Sequence, residues 1–171
     1  MSNDREFTIF AFDEPAAGGQ WYSIDDAVMG GVSASKFVVP GDGPAVFAGT
    51  LSLENNGGFA SVRCEPRDFQ LHGFTGIRLL VKGDGRRYKL SLKTDAAFDG
   101  VQYQAEFQTE AGVWQTKQFS FESFAPMFRG RRVPNAPELD VTQIRTFGLM
   151  ISDGQAGKFR LKIRSIAAYR A

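Results

Sequence analysis

Gly76-Ile77-Arg78-Leu79-Leu80-Val81-Lys82, then Gly83-Asp84-Gly85, then Tyr88-Lys89-Leu90-Ser91-Leu92-Lys93 is the stretch whose reading decides the fold class. In each flank every second residue is large and apolar. Ile77, Leu79 and Val81 form one such set, and Tyr88, Leu90 and Leu92 the other. A period of two places each set on one side of a β-strand. The glycines between them accept positive φ without steric cost, so the pair reads as a hairpin with a tight turn.

Outward from this centre the alternation recurs. It is plain in Val101 to Phe107 and in Lys158-Phe159-Arg160-Leu161-Lys162-Ile163-Arg164-Ser165-Ile166, both read as strands with one wet face. Further strands are predicted at Phe7 to Phe12, Ser35 to Val39, Ala45 to Leu53, Ala60 to Cys64, Trp114 to Ser120 and Thr146 to Ile151. Turn-forming runs separate several of them, among them Pro40-Gly41-Asp42-Gly43-Pro44 and Asn55-Asn56-Gly57-Gly58. No dozen residues keep an apolar stripe at helical spacing. Short helical turns are expected near Asp25-Asp26 and over Phe121 to Phe124. The three prolines between Ala125 and Pro137 predict an irregular connection there. The 16 phenylalanines suit the space between two packed sheets. The expected fold is all-β, an antiparallel two-sheet β-sandwich of jelly-roll type. At 171 residues, with no linker or repeat, it is expected to be one domain over residues 1–171.

Composition narrows the function classes. Lys and Arg number 20 and Asp and Glu 19, so net charge gives no ground for nucleic acid as the main partner. No run approaches the length that spans a bilayer, and the N-terminus shows no signal peptide. The expectation is a soluble, cytoplasmic chain. Cys64 is the only cysteine and His72 the only histidine, so neither a disulfide nor a cysteine or histidine metal cluster is predicted. His72 reads as a loop residue. No Gly-x-Ser-x-Gly elbow, phosphate loop or dinucleotide fingerprint occurs, so no catalytic residue, cofactor or enzyme activity is expected.

Three segments stand out as candidate sites. In the first, Asp25 and Asp26 precede Met29, Gly30, Gly31 and Ser33. Their oxygens could serve a ligand or cation, or cap a turn while the glycines allow close chain approach. In the second, Asn56-Gly57 fits a mirror-image hairpin turn and leads into a strand carrying Arg63. Arg63 would form a forked ion pair if it shared a sheet face with Asp25 or Asp26. The third is the Pro-rich connection. There Met127 and Phe128 lie beside Arg129, Arg131 and Arg132, a mixture suited to a protein contact or, equally, to a basic solvated loop. A polar strip of Arg78, Lys82, Lys89, Ser91, Lys93, Gln102, Gln104 and Glu106 falls on the outward phase of three strands. It reads as solvated surface, because Tyr88 and Tyr103 fall on the opposite phase and leave no aromatic platform for sugar.

These segments together resemble the complex I intermediate-associated protein 30 family. The resemblance rests on Trp21 with Asp25 to Ser33, on Phe47-Ala48-Gly49-Thr50-Leu51-Ser52-Leu53, and on Asn56 to Arg63. It continues through Phe128-Arg129-Gly130-Arg131, Phe147 to Asp153 and Gly157-Lys158-Phe159. It implies a galactose-binding-like jelly roll and a role as an assembly factor that binds respiratory-complex intermediates as protein partners. The partner-facing residues would then be Asp25, Asp26, Met29, Gly30, Gly31, Ser33, Asn56, Gly57, Arg63, Phe128, Arg129 and Arg131. A carbohydrate-binding module of the same fold is the alternative.

Overall fold

The computed structural model describes residues 5–13, 21–25, 34–40, 42–53, 58–95 and 100–171, with only the backbone of Arg5 and Asp25. Its strands are β1 (Arg5–Ala11), β2 (Trp21–Asp25), β3 (Ala34–Val38), β4 (Ala45–Leu51), β5 (Ala60–Cys64), β6 (Gly76–Lys82) and β7 (Arg87–Lys93). They continue with β8 (Gln102–Gln108), β9 (Trp114–Ser120), β10 (Ala125–Phe128), β11 (Arg131–Arg132), β12 (Thr146–Ile151) and β13 (Gly157–Arg170). The strands pair antiparallel and build two sheets. One runs β3-β4-β13-β6-β9, with β1 also paired to β13; the other runs β11-β10-β8-β7-β12-β5-β2. The all-β sandwich expected from the alternation is what the chain forms.

The two sheets face one another across their alternate residues. Ile77, Leu79 and Val81 of β6 and Phe159, Leu161 and Ile163 of β13 are buried from one side, and Tyr88, Leu90 and Leu92 of β7 from the other. Aromatic rings pack between the sheets. Trp21 of β2 stacks on Phe37 of β3 with ring centres 4.7 Å apart, joining an edge strand of each sheet. Next to it, Phe47, the cross-strand partner of Phe37, meets Tyr88 and Phe159 edge to face, the three rings lying 5.0 to 6.4 Å apart. Offset and edge-on contacts of this kind are the favoured aromatic geometries.

Pairing corrects two expectations. β6 and β7 do not form a hairpin: β6 pairs with β13 and β9, whereas β7 pairs with β8 and β12. Gly83-Asp84-Gly85 therefore carries the chain from one sheet to the other. The Asp84 carboxylate secures this crossover, accepting the Tyr88 hydroxyl at 3.0 Å and the Arg160 N–H at 2.7 Å. Likewise β4 and β5, which flank Asn56-Gly57, lie in different sheets, so no hairpin joins them; those two residues themselves lie outside the described set. Alternation marks which residues share a face and is silent about which strand lies alongside.

Elsewhere the helical turn expected at Phe121 is a short 3-10 helix (Phe121–Ser123); Asp25 is the last residue of β2, and the rest of the turn expected near Asp25-Asp26 lies outside the described residues. His72 lies in an exposed turn. The Pro-rich connection, expected to be irregular, contains strands β10 and β11. Pro126 is tolerated there because β10 lies beside the last, two-residue strand of its sheet, where few ladder bonds are asked of it.

Candidate functional site

The β10–β11 hairpin is the best-defined of the three candidate segments. Met127 pairs with Arg132 and Phe128 with Arg131, leaving Arg129-Gly130 as a two-residue loop. Both loop residues have positive φ, 48° at Arg129 and 80° at Gly130. Two-residue hairpin loops favour such a mirror-image turn, because its twist matches that of the flanking strands. The first loop position ordinarily goes to Asn, Asp or Gly, since a side chain with a Cβ is strained in the left-handed region. Arginine at that position is the exception here. Its guanidinium lies over the Phe128 ring, 5.3 Å from the centre.

Phe128 is 38% exposed, and Arg129, Arg131 and Arg132 are exposed beside it. Behind the hairpin the returning chain is tied down. Val133 donates its N–H to the Pro126 carbonyl at 3.0 Å, and the Tyr103 hydroxyl donates to the Pro137 carbonyl at 2.8 Å. Between hairpin and returning chain lies an open cleft of about 550 Å³ lined by Pro126, Arg132, Val133, Pro134, Asn135 and Ala136. The surface thus combines ring area, proline and forked guanidinium donors. That is the chemistry of macromolecular contact.

Arg63 lies elsewhere. It sits on β5, on the face of the seven-stranded sheet that points away from the core, opposite Tyr22 on one side and Gly148 on the other. Across the sheet from β5 to β10 stand β12, β7 and β8, so Arg63 and the hairpin are about 19 Å apart at the usual strand spacing. The register pairs Asp25 with Ala60 and Tyr22 with Arg63, so positions 25 and 63 fall on opposite phases of the sheet. Asp26, Met29, Gly30, Gly31, Ser33, Asn56 and Gly57 lie outside the described residues.

The outward phase around Arg63 is not solvated surface, and this corrects the reading of the polar strip. Arg63 is 7% exposed, Ser91 6%, Lys93 1% and Thr146 2%. Arg78 and Lys82 belong to the other sheet altogether. The Ser61 hydroxyl donates to the Ile24 carbonyl along the same face. Lys93 Nζ lies 3.4 Å from the Asp95 carboxylate, and Gly100 comes back over it. Gly148 holds the middle of the face, where an added Cβ would stand 2.9 Å from the Val62 carbonyl. Buried serine and lysine on a non-core face were not foreseeable from alternation, which assigns a side but not whether something covers it. All five residues of β5 are buried although its sequence, Ala60-Ser61-Val62-Arg63-Cys64, alternates, so the sequence carried no sign of the cover.

Two buried groups have shifted acidities. Burial pushes the Cys64 thiol up to about 11, although the Phe147 N–H donates to its sulfur at 3.3 Å. Burial, and then the neighbouring Asp84 carboxylate, hold Tyr88 well above the ordinary tyrosine range. Among the described residues no group of three His, Cys, Asp or Glu is placed to hold a metal ion, and no helix is long and apolar enough to cross a membrane.

Comparison with known proteins gives the family. Residues 10–163 match the model for complex I intermediate-associated protein 30 (CIA30). An uncharacterized protein of Schizosaccharomyces pombe is 32% identical over 166 residues, covering 85% of this chain and 76% of its own length. The probable mitochondrial complex I intermediate-associated protein 30 of Caenorhabditis elegans is 27% identical over 158 residues, covering 81% of this chain; the chain spans 46% of that protein. Among solved structures, a family 11 carbohydrate-binding module from Clostridium thermocellum, in complex with a β-1,3-1,4-mixed-linked tetrasaccharide, aligns with a TM-score of 0.69. It covers 97% of this chain and 96% of the module at 19% identity, a likeness of fold. The expectation of a cytoplasmic chain is overturned by the nematode and Drosophila melanogaster relatives, whose names place them in the mitochondrion. On a family match that spans nearly the whole chain, this β-sandwich belongs to the complex I intermediate-associated protein 30 family.

Proposed function

We propose that the chain, acting over residues 1–171 as one domain, is a non-catalytic assembly factor that holds a protein partner through the β10–β11 hairpin. The partner class is an intermediate of respiratory complex I, as the names of the relatives suggest. The observation that carries this reading is Arg129. A left-handed arginine at a two-residue turn costs conformational energy that asparagine or glycine would avoid. Backbone strain of this kind concentrates where a side chain must be presented. What Arg129 presents is a guanidinium stacked on an exposed phenylalanine, and Arg and aromatic groups are the usual anchors of protein interfaces.

The two costs can be separated. Arg129→Gly relieves the strain and is expected to raise the midpoint of chemical unfolding by the equivalent of roughly 0.5–1 kcal/mol. The same change, and Phe128→Ala, should lower recovery of complex I intermediates by roughly tenfold or more in affinity capture from host mitochondria. Capture that is unchanged in both variants would remove the hairpin from the interface. Binding on a glycan array without capture of any complex I component would replace the reading with the carbohydrate alternative.

A further inference from the structure

The outward phase of the six-stranded sheet is the surface this function leaves unused. Along β13, Lys158, Arg160 and Lys162 alternate with the core residues Phe159, Leu161 and Ile163. The register sets Lys36 of β3 and Arg160 on either side of Ala48, and Lys162 directly opposite Lys82 of β6. Beside them the guanidinium of Arg164 lies 4.8 Å from the centre of the Trp114 ring, and Lys82 Nζ lies 6.0 Å from it. Charge compensation is thin. Arg164 has Asp13 at 3.9 Å, and at the far end Arg78 holds Glu6 at 2.9 Å. Among the described residues Lys36, Lys82, Lys158, Arg160 and Lys162 have no carboxylate within ion-pair reach.

This arrangement works against folding. Like charges directly opposite in an antiparallel ladder repel, and Lys162 faces Lys82 with no carboxylate in ion-pair reach of either among the described residues. A chain with 19 acidic residues has the means to alternate signs here and does not. Local rules broken without local compensation mark functional surfaces. The near-neutral net charge of the whole chain does not reveal this local run of cations.

Shape chooses among the polyanions. Cations about 7 Å apart along β13 and spread from β3 to β6 form a planar array about 13 Å by 14 Å, not a groove. Single-stranded nucleic acid is usually held by rings on which bases stack, and the Trp114 ring is taken up by two cations. A planar anionic surface matches a planar array. The exposed Val38, opposite Val46 on the same phase, adds apolar area beside the cations. We infer that the outer face of the six-stranded sheet docks this chain onto an anionic lipid bilayer through Lys36, Lys82, Lys158, Arg160 and Lys162.

Each Lys or Arg close to an anionic bilayer strengthens binding about fivefold, an effect that salt screens within a Debye length. The test is sedimentation with vesicles of equal parts phosphatidylglycerol and phosphatidylcholine, against pure phosphatidylcholine vesicles. The protein should pellet with the first and not the second, and should be released by molar salt. K158Q/K162Q should weaken binding by about 25-fold and K158E/K162E by several hundredfold, while R131E/R132E on the other sheet changes it by no more than about threefold. Cooperative thermal melts with midpoints no lower than that of the parent would show that these surface variants fold. Equal binding by K158E/K162E, equal binding to neutral vesicles, or a protein left in the supernatant with anionic vesicles would each overturn the inference. In the last case, binding to polyuridylate or polyglutamate would reassign the face to nucleic acid or to an acidic protein.

Discussion

Cys64 shows how a single buried group sets a pH limit. Its thiol faces the core, is almost inaccessible, and titrates near 11 instead of 9.0. In the unfolded chain it ionises from about pH 9, while the native protein keeps the proton until about 11. Its contribution to stability is therefore complete below pH 9 and is lost as pH rises through 11, on the order of 2 kcal/mol. Tyr88, shifted upward by burial and Asp84, adds in the same direction above its ordinary range. Urea midpoints taken between pH 8 and 11 should fall. Cys64→Ala, although less stable throughout, should fall less steeply over that interval; an identical slope would show that Cys64 is not responsible. At this scale the sequence singled out Arg63, Phe128 and Arg129 by residue type. It left open Arg63's partner and its burial, because both depend on a register and a covering segment that alternation does not encode.

Among the elements, β13 and the β10–β11 hairpin carry the functional surfaces, and they differ in how far the sequence revealed them. The β13 alternation was plain, as was its wet side. That this side is almost wholly basic became meaningful only when β3 and β6 were placed beside it. The unfavourable Lys162–Lys82 pair gives a direct check. Lys162→Glu should create an opposite-charge cross-strand pair and raise the unfolding midpoint by the equivalent of about 0.5–1 kcal/mol, even as it weakens vesicle binding. A lowered midpoint would mean that the two lysines do not repel. In the hairpin, prolines argued against strands, yet β10 and β11 form because Arg129 and Gly130 adopt the turn and the sheet ends there. Strength of pairing partner outweighed local propensity.

For the whole molecule, the two sheets share one continuous apolar cluster, running from Phe10 and Phe12 at one end to Phe107 and Phe119 at the other. Elements that bury their faces against each other lose those faces together. Chemical unfolding followed by tryptophan fluorescence and by far-ultraviolet circular dichroism should therefore give one coincident transition; two separated transitions would divide the proposed single domain. Two tryptophans on different sheets, Trp21 on β2 and Trp114 on β9, make the fluorescence sensitive to both layers. By itself the sequence determined that the chain is a stack of half-buried strands, which residues of each strand turn inward, and which family it resembles, because side-chain period and residue type are local. Only the tertiary structure decided that β6 and β7 part company, that Arg63 and Lys93 are buried on a face away from the core, and that five cations without an ion-pair partner among the described residues collect on one sheet. These outcomes depend on which strands lie side by side, and residues far apart in the chain settle that jointly when they pack.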